Sequence, residues 1–279
     1  MGSLKRFFVT PYFAAQVVVV IYSLVKLTQH GLFSAWLGSL MATLPAALLF
    51  GFILLGYRAR TSENLPLVWI CGVFGSVLAW YLPAQSSLPF IFASLIGLLG
   101  GLLYVFWYSR YGGRDSSILG IGKTLPDFVL FDSQGIPIAS SEITKTPALL
   151  MFFRGNWCPL CMAQIKEIAD QYRELDQRGV KVYLVSPQSE QNTQQLAEKF
   201  SVPLNFLIDR DLSVARQLRI AIDGAVPLGV TGYDPDSIMP TVVMTDSEGK
   251  IIFADLTDNY RVRPEPGTFL KILDQQAVG

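Results

Sequence analysis

Histidine is almost missing from this chain of 279 residues: His30 is the only one. Whatever chemistry the second half carries, a Cys-His dyad cannot supply it. Cysteine is nearly as scarce, with Cys71, Cys158 and Cys161 alone. A structural zinc site takes about four Cys or His ligands. The second half offers two, so no metal site is expected. Three cysteines also cannot build the multi-bridge framework of a small secreted domain. Acidic residues are missing from the front, where Glu63 is the only one before Asp115. No run of Lys and Arg interleaved with aromatics occurs, which argues against a nucleic-acid partner. The formal net charge of +0 averages two unlike parts and identifies no partner.

What the front portion has instead is apolar length. Runs at about 10–27, 36–56, 66–82 and 89–108 each approach the ~20 residues that cross a hydrocarbon core. They predict a transmembrane bundle of four helices over residues 1–108. Lys26, near the end of the first run, can snorkel to the interface. The stretch Gln29-His30-Gly31 beyond it lacks the small-x-small pattern of a signal-peptide cleavage site. Lys5, Arg6, Arg58, Arg60, Arg110 and Arg114 flank the runs on one side, whereas Lys26 and His30 lie on the other. By the positive-inside rule both termini are cytoplasmic. The expectation is an integral protein of an inner (plasma) membrane of a bacterium with its second half in the cytosol, a periplasmic facing being the alternative.

No run carries an ionisable side chain at mid-depth, so the bundle reads as an anchor in the lipid bilayer and not as a transporter. Gly97 and Gly101 form a Gly-x-x-x-Gly that fits either packing inside the bundle or a homodimer seam. Cys71, alone in the third run, cannot close an intramolecular disulfide there. Residues 109–121 have the Gly, Ser and charge content of a flexible linker.

The second half, 122–279, alternates apolar strands with helical spacing, which predicts an α/β fold. Ala148-Leu149-Leu150-Met151-Phe152-Phe153 suits a strand buried on both faces. Arg154-Gly155-Asn156 turns the chain. From Cys158 the apolar residues Ile165, Ile168, Ala169 and Tyr172 recur with helical spacing, so Cys158-x-x-Cys161 opens a helix. Unsatisfied N–H groups and the positive end of the helix dipole there favour a thiolate. Further strands are expected over 180–185, 204–208, 241–244 and 251–254, and helices over 192–200, 212–218 and 267–275.

These motifs together carry a resemblance. Gly122-Lys123-Thr124-Leu125-Pro126-Asp127-Phe128, Phe153-Arg154-Gly155-Asn156-Trp157-Cys158-Pro159-Leu160-Cys161, Val185-Ser186-Pro187 and Met239-Pro240-Thr241 resemble the AhpC/TSA (redoxin, peroxiredoxin-like) branch of the thioredoxin superfamily over roughly 120–275. The resemblance implies a thioredoxin fold, Cys158 and Cys161 as the catalytic pair, and no cofactor beyond the thiols. It also implies supporting or substrate-binding roles for Trp157, Pro159, Arg154, Met239, Pro240 and Thr241. Peroxiredoxins carry Pro-x-x-x-Thr-x-x-Cys, and this chain puts Met151 and Gly155 at the Pro and Thr positions. Pro240 matches the cis-proline of thioredoxins, beside which the backbone of Met239 would pair with a substrate chain. The Asp that thioredoxins bury six residues before the first cysteine is Phe152 here.

The expected activity is disulfide reduction through a mixed disulfide, Cys158 attacking and Cys161 resolving. Partners would be a thiol or disulfide protein, or a low-molecular-weight thiol. A peroxiredoxin-like peroxidase and a non-enzymatic redox sensor are the alternatives. For the cation that helps the thiolate, Arg154 is the nearest candidate in sequence, and Arg261 and Arg263 are weaker candidates that read as surface charges unless the fold brings them to the site. The segment from Asp223 to Ile238, rich in Gly, Pro and Asp, is a long loop that could cover the site.

Overall fold

The computed structural model describes residues 2–56 and 58–277. Residues 1, 57, 278 and 279, which fall within the expected domain bounds, lie outside them. The four apolar runs are helices α1 (Gly2–His30), α2 (Trp36–Leu54), α3 (Pro66–Tyr81) and α4 (Leu88–Tyr108). Three of them are long and apolar enough to cross a membrane: α1 over Leu4–His30, α2 and α4. The third, α3, has 16 residues, about 24 Å at 1.5 Å per residue, and falls short of the expected fourth full span. Two stretches of α4, Phe92–Leu99 and Leu103–Tyr108, are π-helical.

Small residues set the closeness of the bundle. A Cβ on Gly38 of α2 would stand 2.3 Å from the backbone nitrogen of Ala79 on α3. On Gly75 it would meet the Gly38 carbonyl oxygen at 2.5 Å. The Gly-x-x-x-Gly of α4 is used the same way. A Cβ on Gly97 would meet Ala42 at 2.6 Å, and one on Gly101 would meet Val68 at 3.0 Å. Both glycines are buried against helices of their own chain, so the homodimer seam considered for them is replaced by internal packing.

The second half forms a seven-stranded mixed sheet in the order β2-β1-β5-β4-β3-β8-β9. Its strands are β1 (Val129–Asp132), β2 (Pro137–Ala139), β3 (Ala148–Phe152), β4 (Lys181–Ser186), β5 (Asn205–Ile208), β8 (Thr241–Thr245) and β9 (Ile251–Asp255), and a small ribbon pairs β6 (Ala221–Ile222) with β7 (Ser237–Ile238). The helices are α5 (Ser140–Ile143), α6 (Pro159–Asp170), α7 (Tyr172–Gln177), α8 (Glu190–Ala197), α9 (Ser213–Gln217) and α10 (Pro266–Ala277). All five residues of β3 are buried, as a central strand covered on both faces requires. It pairs in parallel with β4 and antiparallel with β8. This is an α/β thioredoxin-like domain behind apolar helices. β1 and β2, between 122 and 139, were not anticipated: each is short and too little alternating to read as a strand.

The two parts dock on one face of the bundle, made by the start of α1, the α2–α3 loop and the end of α4. Buried Arg261 is the main latch. Its guanidinium donates to Ser109 Oγ (2.8 Å), Thr61 Oγ1 (2.7 Å), the Ser62 carbonyl (2.8 Å) and the Glu63 carbonyl (2.9 Å). Arg60 of the same loop pairs with Glu167 of α6. Ile53 of α2 joins the apolar cluster that contains Cys158, Leu160 and Phe269.

The connector expected to be flexible is tied down instead. The Tyr111 amide donates to the Asp258 carbonyl (2.8 Å), the Tyr260 amide to the Ser109 carbonyl (3.1 Å), and the Gly113 amide to Asp258 Oδ1 (2.7 Å). The chain after β9 supplies those backbone partners, which composition alone does not reveal.

Candidate active site

Cys158 and Cys161 are joined as a disulfide where β3 hands over to α6. Cys158 caps the helix in an extended conformation, and its Sγ accepts the Cys161 amide at 3.3 Å. Pro159 takes the first helical position, where its missing N–H costs nothing and its fixed φ favours the helix. Buried as they are, with Cys158 at 3% and Cys161 at 0% exposure, the sulfurs stand at the positive end of a 12-residue helix.

The cation beside them is Arg263, not Arg154. Both Nη atoms of Arg263 lie 3.5 Å from Cys161 Sγ, and Nη2 lies 3.9 Å from Cys158 Sγ. Its guanidinium is held by Gln164 Oε1 (2.9 Å) and the Tyr260 carbonyl (3.0 Å). Arg60 Nε, from the bundle loop, donates to the Arg263 carbonyl at 3.1 Å. Burial pulls the Arg263 pKa down to about 10, and at neutral pH it keeps its charge.

The expectation that Arg261 and Arg263 are surface charges is therefore overturned: they are 0% and 5% exposed. A turn at Tyr260–Arg261 sends Arg261 to the bundle loop and Arg263 to the sulfurs, and no local pattern in the sequence marks either destination. With no histidine in this half, a buried cation had to be Arg or Lys.

Arg154 sits elsewhere, 4.9 Å from the ring centre of Tyr260 and 5.8 Å from that of Trp157. It is buried, and its Nε has no hydrogen-bond partner. The Trp157 Nε1 is also unpartnered. Gly155 adopts φ +134°, and a Cβ there would meet Trp157 at 3.1 Å and Tyr233 at 3.3 Å. A threonine here would have to hold a φ that favours glycine and push both aromatics back by a few tenths of an ångström.

The Met239-Pro240-Thr241 stretch lies beside the turn into Cys158, because Thr241 pairs with Phe152 at the end of β3. It does not do what was expected of it. Among the described residues no peptide bond is cis, so Met239–Pro240 is trans. The Met239 amide already donates to the Ile220 carbonyl (2.7 Å), and the Met239 carbonyl accepts from Thr241 Oγ1 (2.8 Å). The β6–β7 ribbon has taken the edge that an incoming substrate strand would use.

Two cavities share Arg154 and Trp157 in their walls, and the first also reaches Cys158. One, of about 460 Å³, is apolar and runs between the parts. Phe13 and Phe50 wall it from the bundle, Trp157, Cys158 and Tyr260 from the redox domain, and Pro227 and Val230 roof it. The other, of about 350 Å³, is polar, with Gln188, Ser189, Asp234 and Asp236 among its walls. The loop over Asp223–Ile238 thus lies across the site. Its Leu228 is fastened to α1, by its amide to the Arg6 carbonyl (3.1 Å) and by its carbonyl to Thr10 Oγ1 (2.7 Å). Burial raises the Tyr260 pKa well above its usual value. Its hydroxyl stays protonated, 2.9 Å from that of Tyr104.

The second half of the chain is similar to known redox proteins. The AhpC/TSA family matches residues 121–254. The thiol-disulfide oxidoreductase ResA of Bacillus subtilis (strain 168) is 25% identical over 159 residues, 57% of this chain and 78% of ResA. The chloroplastic peroxiredoxin Q of Sedum lineare is 27% identical over 108 residues, 38% of this chain and 58% of that protein. Among solved structures, the peroxidoxin BcpB of Mycobacterium tuberculosis aligns with a TM-score of 0.46 at 19% identity, over 56% of this chain and 96% of that one.

Proposed function

From a chain whose second half is a redoxin domain of the AhpC/TSA branch of the thioredoxin superfamily, we propose a membrane-anchored thiol-disulfide oxidoreductase whose Cys158–Cys161 dithiol reduces disulfides. The observation that carries this reading is the Arg263 guanidinium against both sulfurs at a helix N-terminus. A cation and a helix terminus together lower a thiol pKa and supply the attacking thiolate.

Cys158, which borders the apolar cavity, attacks one sulfur of the substrate disulfide. The new S–S bond forms as the substrate's bond breaks, and the departing thiolate takes a proton. Cys161 then attacks Cys158 Sγ, releasing the second substrate thiol and leaving the pair oxidised. A thiol donor on the aqueous side, protein or small molecule, returns the pair to the dithiol by the same exchange. α1, α2 and α4 hold the enzyme in the bilayer. The basic residues Lys5, Arg60 and Arg110 lie on the face that the redox domain covers, which supports a cytosolic facing. A C-terminal reporter active only when exported, if it gave signal, would reverse that facing.

The second reading is a thiol peroxidase, favoured by relatives named peroxiredoxins. Gly155 weighs against it. The full-length protein should reduce insulin disulfides and turn over hydroperoxides poorly. Fast peroxide turnover with negligible disulfide reduction would exchange the two readings.

A further inference from the structure

The dithiol faces a cavity that disulfide exchange does not need. Soluble disulfides approach through water, yet the 460 Å³ space at Cys158 is apolar and belongs half to the bundle. Its volume lies within the ~300–1,000 Å³ of sites for small organic ligands. Its margin is formed by Ala14 and Val17 of α1 and Leu54 of α2, all exposed on the outer surface of apolar helices. In a bilayer those residues face acyl chains, so the cavity opens sideways into lipid. Ordinary cavity packing would leave its inner end apolar too. Here Tyr104 and Tyr260 line that end, and their hydroxyls, linked at 2.9 Å, leave one O–H proton over after their mutual bond. A buried donor without an acceptor is costly, and a carbonyl oxygen is an acceptor that this remaining proton fits.

We infer that this cavity binds a membrane quinone and that the dithiol reduces it. The inference rests on the dithiol acting as an electron donor, as proposed above. A quinone combines the three features the cavity selects. Its flat ring suits walls of Phe, Trp and Tyr, a carbonyl oxygen suits the remaining proton of the Tyr104–Tyr260 pair, and its isoprenoid tail suits the opening to lipid. An acyl-chain hydroperoxide matches the tail but offers no ring for the aromatic walls.

The chemistry balances with two electrons. The Cys158 thiolate adds to a ring carbon, forming an S–C bond and placing negative charge on the quinone oxygen, which the tyrosine pair can take up as a hydrogen bond. Cys161, giving up its proton, attacks Cys158 Sγ. The S–S bond forms, the S–C bond breaks, and its electron pair stays on the ring. The ring takes the Cys161 proton and one from water and leaves as quinol. Thiolate, thiol, quinone and one proton thus become disulfide and quinol.

The test uses full-length protein in phosphatidylcholine nanodiscs, without oxygen, on a Cys71→Ser background that removes the third thiol. Pre-reduced enzyme is mixed with a short-chain ubiquinone or with a water-soluble disulfide. Quinone loss is followed by absorbance, and dithiol loss by mass shift after alkylation. The expected result is one quinol per disulfide formed. Ala14→Phe should lower the quinone rate about tenfold relative to the soluble-disulfide rate of the same preparation, the effect of filling a packed site. Val17→Trp, at a second point on the margin, should do the same. If the soluble disulfide is reduced but the quinone is not, or if both variants leave the ratio unchanged, the quinone site is refuted and the reductase reading stands. If a phospholipid hydroperoxide oxidises the pair and the quinone does not, the site is also refuted, in favour of the peroxidase. If neither quinone nor disulfide takes electrons, the reductase reading itself fails.

Discussion

Replacing Arg263 by Met keeps the length of the side chain and removes the one guanidinium within reach of both sulfurs. At 3.9 Å from Cys158 Sγ, a unit charge is worth about 4 kcal/mol to a thiolate if the effective dielectric constant is ~20. That equals about 3 units of pKa. Water entering beside the truncated group screens the helix terminus and its neighbours, so the expected rise for Cys158 is about 2 units. The sign is fixed, since loss of a cation disfavours the anion and the pKa must go up. The assay is the pH dependence of iodoacetamide alkylation at Cys158 in the reduced protein, read by peptide mass. Below both pKa values the thiolate fraction falls about a hundredfold, while the more basic thiolate gains nucleophilicity, leaving a rate loss of about tenfold. Arg263→Lys, which keeps a charge, should recover most of the depression. A shift under about half a unit in Arg263→Met would refute the electrostatic reasoning, because Arg263 is the cation in hydrogen-bond contact with both sulfurs.

Other substitutions probe the scaffold. Arg261→Met removes four donated hydrogen bonds to the α2–α3 loop and Ser109. It should cost about 3 kcal/mol in denaturant melts and speed trypsin cleavage at Arg114; unchanged cleavage would mean that the latch lies elsewhere. Gly155→Thr, which restores the peroxiredoxin residue, should cost about 1–3 kcal/mol for its positive φ and give no gain in peroxide turnover. A gain would show that the backbone relaxes to accommodate the hydroxyl. Gly97→Leu should lower the melting temperature in detergent without changing the oligomeric state by light scattering. Dissociation of a dimer would contradict the internal packing against Ala42.

Local pattern made much of this molecule legible. The apolar runs became helices, and the strand leading into Cys158 is where its unbroken apolar residues predict. The capping of a helix by Cys158 followed from the turn before it and the spacing after it. What could not be read were contacts between segments far apart in the chain. Arg263 reaches the sulfurs across more than a hundred positions, and Arg261 reaches a loop nearly two hundred away. A Gly-Ser connector reads as flexible until its distant partners are known. Pro240 kept its place beside the site but not its expected service, because a two-residue ribbon too short to register as strand had occupied its backbone neighbours.

Ile53 of α2 shares one apolar cluster with Cys158 and Leu160, and that has a practical meaning for anyone cutting this gene. A fragment beginning at residue 109 would carry every cysteine of the reaction and still be a different catalyst. It would lose one wall of the thiol's chamber, the clamp of Arg60 on the Arg263 backbone, and the α2–α3 loop partners of Arg261. Such a fragment would present an open, water-filled dithiol with a wandering cation. Its rates would describe a generic thioredoxin-like surface, whereas the selectivity of the native enzyme is written partly in its helices.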